Sequence, residues 1–98
     1  MELFVVTKEG VYRHEIIGVF SCLCLAYINA TLAVAEEPDT YHEFWVGKLQ
    51  QDQRHEDAEG IAIVKRIMPE RPMKHNDPRW KEFKSWPIGI QLVRGDKP

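Results

Sequence analysis

Ninety-eight residues at 11.5 kDa, 44% hydrophobic and 29% charged, amount to one small domain. They exclude a disordered chain, a collagen-like repeat and a cysteine-stapled mini-protein. The net charge of -2 hides a polarity: residues 1–64 hold four basic and eleven acidic side chains, a net of -7, and residues 65–98 hold nine basic and four acidic, a net of +5. Such polarity suits self-association, a charged partner or a tail folded back on its own body.

Leu3-Phe4-Val5-Val6 is β-branched and aromatic and predicts a short first strand. Thr7-Lys8-Glu9-Gly10 turns the chain, with Gly10 expected in the left-handed conformation that closes a bulged hairpin loop. Residues 11–20 return as the second strand, polar near the turn and apolar away from it.

Ser21 reads as the N-cap of a helix over residues 22–37, which Pro38 ends. Residues 16–35 carry no charge, long enough to raise a membrane span. Ala33-Val34-Ala35 also resembles a signal-peptidase site, and Asn29-Ala30-Thr31 matches a glycosylation sequon. These readings are set aside. Residues 1–15 hold three acids against two bases where a leader wants a basic start, and Gly18, Ser21, Asn29 and Thr31 interrupt the apolar run. The expected setting is cytoplasmic, with no membrane. On a helix Cys22 and Cys24 stand about 200° apart and do not bridge, so buried, reduced thiols are expected.

The helix is apolar nearly all round. One face carries Cys24, Leu25, Ile28, Leu32 and Ala35, and another Leu23, Tyr27, Ala30 and Val34. A helix lying on one sheet needs a single apolar stripe. The other stripe therefore calls for a cover, either the C-terminal segment or another chain.

Residues 41–49 form an aromatic third strand with Tyr41, Phe44 and Trp45, in which Phe44 and Trp45 point to opposite faces. Residues 50–60 make a polar loop and residues 61–67 a fourth strand. Beyond Met68, four prolines (Pro69, Pro72, Pro78, Pro87) cut the chain into short pieces. Asp77-Pro78 starts a short helix, and residues 88–93 suit a last strand. The expected fold is α+β: a small antiparallel sheet in ββαββ order with one apolar helix packed on it, plus a short C-terminal helix and strand. Residues 1–68 would be the core domain, and residues 69–98 a basic extension packed on it.

The segments VVTKEGVYRHEIIGVFS (residues 5–21) and EPDTYHEF (residues 37–44) resemble small, mostly uncharacterised bacteriophage proteins with a hairpin ending GVFS, a helix, and a strand opening DxYHxF. The likeness covers residues 3–67 and implies an intracellular, phage-encoded protein with no catalytic residues to carry over. Two departures stand out, since the helix is more apolar here and residues from 68 onward are an addition. Both add contact surface.

His14, His42 and Glu43 are the one constellation with metal-binding or acid–base character. The plainer reading is a solvent-facing cross-strand cluster that includes Arg13, and no cofactor or metal is expected. The chain shows no GxSxG, glycine-rich phosphate loop or HExxH, so a non-enzyme is expected. Arg79, Trp80, Lys81 and Lys84 interleave bases with aromatics, as in single-strand nucleic-acid binders. The preferred alternative has Trp80, Phe83 and Trp86 covering the free helix stripe, with Lys81 and Lys84 in water. Trp45, Tyr41, Trp80, Phe83 and Trp86 are candidate anchors for a host protein partner, and Trp45 also reads as a rim residue under the tail. A homodimer on the apolar helix or an edge strand fits the same features. The expected function is a phage accessory protein that binds and blocks a host macromolecule, such as a defence or metabolic enzyme. Nucleic-acid binding and a virion or assembly role are the alternatives.

Overall fold

A computed structural model describes residues 2–10, 14–38, 42–54, 57–68, 74 and 76–93. The element order is β1 (Glu2–Glu9), β2 (His14–Phe20), α1 (Leu23–Glu36), β3 (Glu43–Gln50), β4 (Glu59–Arg66), a 3₁₀ helix (Pro78–Ser85) and β5 (Ile88–Leu92). The fold is α+β, as the alternation of the strand segments and the long apolar helix imply. The last strand joins the others in one five-stranded antiparallel sheet of order β2-β1-β3-β4-β5. Both β2 and β3 run antiparallel to β1, so they are parallel to each other, and α1 is the crossover such a pair requires.

One sheet face meets α1. Val6 of β1, Phe44 and Val46 of β3, and Ala62 and Val64 of β4 pack against Ala26, Ala30 and Val34. Those helix residues recur at every fourth position, which puts them in one row. Their small side chains let the helix lie close to the strands. Leu23 and Tyr27 flank the row, so one of the two anticipated stripes, with Ala26 added, is the buried one. A one-residue bulge at Ile61 and another at Ile17 interrupt the ladders and strengthen the local twist.

Several local expectations are corrected. The helix cap is Cys22, not Ser21. Gly10 has no positive φ; among the described residues the left-handed one is Asp52, at φ 70°, in the β3–β4 connection. Aspartate is one of the few side chains that tolerate that conformation. The cysteines are free but exposed, not buried. Cys22 sits in extended backbone before the first turn, so the helical spacing argument does not apply to it.

The larger correction concerns the free stripe. The tail does not cover it: Leu25, Ile28 and Leu32 are 47%, 55% and 55% exposed. Instead Trp86, 7% exposed, packs at the C-terminal end of the helix beside Val34. Its route is set by β5, which pairs with β4 from Ala62↔Leu92 to Arg66↔Ile88. The amide of Ile67 donates to Pro87 O (2.7 Å) and that of Val93 to Ile61 O (2.9 Å), extending the ladder at both ends. No helix among the described residues is long and apolar enough to cross a membrane.

Candidate binding cleft

A cleft of about 560 Å³ opens where the end of α1, the start of β3, the end of β4 and the start of β5 meet the tail. This is within the usual range for ligand pockets. Val34, Phe44, Met68, Ile90, Trp80 and Trp86 give it an apolar body, and Glu37, His42 and Arg66 give it polar edges. The two tryptophan rings lie 5.6 Å apart, tilted by 50°, a favourable aromatic arrangement. Trp80 is further held by its indole N–H, which donates to Lys74 O at 2.8 Å.

Arg66 fastens this corner. Its Nη1 donates to Lys84 O (2.7 Å) and Trp86 O (3.0 Å), and its Nη2 reaches Ala35 O at 3.5 Å. One guanidinium thus joins the tail to carbonyls at a helix end, where a cation also complements the helix dipole. Its Nε is buried with no acceptor among the described residues. In the sequence Arg66 looks like the frayed end of a strand, and only its position opposite Ile88 reveals its role. Glu37 just beyond α1 is buried and receives Lys8 Nζ at 2.9 Å and His42 Nδ1 at 3.0 Å. It therefore ties β1 and the start of β3 to the helix end.

The anticipated site residues divide. Trp80 and Trp86 come together in the cleft; Phe83 is half-buried in the same 3₁₀ helix and is not one of the lining residues. Trp45 lies on the opposite sheet face, in register with Thr7 and Ile63 and packed over Gly60, where a Cβ would stand 3.1 Å from its ring. Phe44, its neighbour, is in the core as the alternation required. Tyr41 and Arg13 lie outside the described residues. That outer sheet face also leaves Ile16 and Val19 about half exposed.

His14 and His42 are not brought together. His14 pairs with Glu9, and Glu9 pairs in turn with Glu43, so these three share a row on the outer face. His42 instead turns to Glu37 on the helix side. Among the described residues no group of three histidine, cysteine or acidic side chains is placed to hold a metal ion.

In the basic segment, Arg79 is engaged by Asp77. Its Nε and Nη2 donate to the carboxylate at 2.7–3.2 Å, and its backbone N–H donates to Oδ1 at 2.9 Å. The side-chain hydrogen bonds from Arg79 hold the Asp77 pKa below its ordinary value, and the same bonds raise that of Arg79. Lys81 and Lys84 are exposed. At the other helix, the Leu25 amide, then that of Cys24, and the Cys24 thiol lower the pKa of Cys22. In comparisons with known proteins, no family model, no curated protein and no solved structure matched the chain.

Proposed function

We propose that this is a non-catalytic, phage-encoded accessory protein of the host cytoplasm that binds a host protein, such as a defence or metabolic enzyme, and blocks it sterically. The observation that carries the reading is the aromatic cleft: Trp80 and Trp86 line a mostly apolar recess with polar edges, pinned by Arg66. Recesses of this make-up take an apolar side chain of a partner as an anchor, and tryptophan and arginine dominate the energetics of such contacts. The resemblance of residues 3–67 to small phage proteins supports the setting.

The test is capture from host lysate with mass spectrometry. Wild-type protein is expected to retain one host protein at stoichiometric yield, and Trp80→Ala to lose it with an unchanged circular dichroism spectrum. Equal capture by both proteins would overturn the reading. A second reading rests on the exposed Lys81 and Lys84 beside Trp80. It predicts a band shift with single-stranded DNA or RNA that weakens steeply with salt, and a shift lost in Lys81→Ala/Lys84→Ala would favour nucleic acid over a protein target.

A further inference from the structure

We propose that α1 is a self-association surface, and that its exposed stripe pairs antiparallel with the α1 of a second copy of this chain. Leu25, Ile28, Leu32 and Ala35 follow a 3-4-3 spacing, which places them within an arc of about 80° on the solvent side. This is the a/d spacing of a two-helix seam. The stripe is self-complementary about a two-fold axis at the level of Ala30. Leu25 then opposes Ala35 of the second copy, and Ile28 opposes Leu32, so every pair across the seam is apolar.

Charge singles out a second copy as the occupant. From its cap to Ala35 the helix has no charged side chain, so two copies meet without repulsion. Its own electrostatics run the wrong way. The first turn has no acid and the last turn no base, while exposed Glu36 sits at the negative end. An antiparallel second copy corrects this, because each Glu36 comes beside the other's N-terminal turn, where free amides favour an anion. The same geometry brings the two Trp80/Trp86 clefts onto one particle, making it bivalent.

The size of the contact sets its strength. Fourteen residues give a seam about 21 Å long, short of the roughly 800 Å² per partner of a standard interface. The dimer is accordingly concentration-dependent.

Sedimentation or light scattering over a concentration series tests this on the full chain. The expected limit is twice the 11.5 kDa chain mass, with Leu32→Glu and Ile28→Lys each weakening the dimer by about 30-fold or more. Both positions are more than half exposed, so the variants keep the wild-type circular dichroism. Register is tested by Ala35→Cys, which lies one residue from the level of the second copy's Cys24. Exchange with a small disulfide reagent should link the two sulfurs, releasing two equivalents of reagent thiol per bond formed. The link should be absent in wild type and in Ala35→Cys/Cys24→Ser. A wild-type monomer at all concentrations, or a dimer that survives Leu32→Glu and fails to cross-link, would overturn the proposal. Trp80→Ala should leave the mass unchanged, which separates this result from any failure of the cleft.

Discussion

Phe44 shows how much of this small domain rests on single side chains. It is 2% exposed and belongs to the cluster that joins α1 to β1, β3 and β4. Phe44→Ala should cost about 3–5 kcal/mol, a large share of the 5–15 kcal/mol typical of a domain. The urea midpoint should fall accordingly, with the slope little changed. Asp77 acts through charge. Its carboxyl titrates below the ordinary value because Arg79 donates to it. A lowered folded-state pKa contributes stability that is complete above the unfolded value, about 3.9, and is lost as the pH falls through the folded one. Asp77→Asn should therefore weaken the tail's packing at pH 6, read as tryptophan fluorescence during unfolding. The gap to wild type should close in acid.

At the scale of elements, the tail is held by two devices. The β4–β5 ladder supplies direction, and Arg66 supplies the tie to the end of α1. Arg66→Ala removes donors to three carbonyls and should cost about 1–3 kcal/mol. Amide exchange in β5 and the 3₁₀ helix should rise more than in β1. Lysine should rescue only part of this loss, since an ammonium cannot bridge carbonyls in a fixed fork. Asp77-Pro78 signals the helix start with Asp77 as its cap, and the structure has a 3₁₀ helix there in which the Asp77 side chain accepts from the Arg79 amide. The strands were signalled by alternation and aromatic content, although β1 and β3 extend past the predicted ends where pairing overrides local preference.

For the molecule as a whole, residues after Met68 complete the sheet and close one end of the core. Trp86 is buried beside the cleft that Val34 and Phe44 also line, and β5 protects the edge of β4. A fragment of residues 1–68 loses both and presents a bare β4 edge, a template for intermolecular pairing. It should bind a hydrophobic dye, unfold without a sharp transition and aggregate on warming. A fragment with wild-type cooperativity would show that the tail is dispensable to the core.

Local signals in the chain determined the hairpin, the helix, the aromatic strand and the capped turn near Asp77, because each depends on neighbours within a few residues. Phe44 and Trp45 were bound to part company for the same reason. Which apolar side of α1 meets the sheet was a different matter: both stripes are greasy, so periodicity had no means to choose. Packing chose the row of Ala26, Ala30 and Val34, whose small side chains admit close approach, and left Leu25, Ile28 and Leu32 outside. The cleft, the parting of His14 from His42 and the grip of Arg66 on the tail likewise arise from strand order. They join residues distant in the chain, eighteen to thirty-one positions apart in the grip of Arg66, and separations of that kind leave no periodic mark in a sequence.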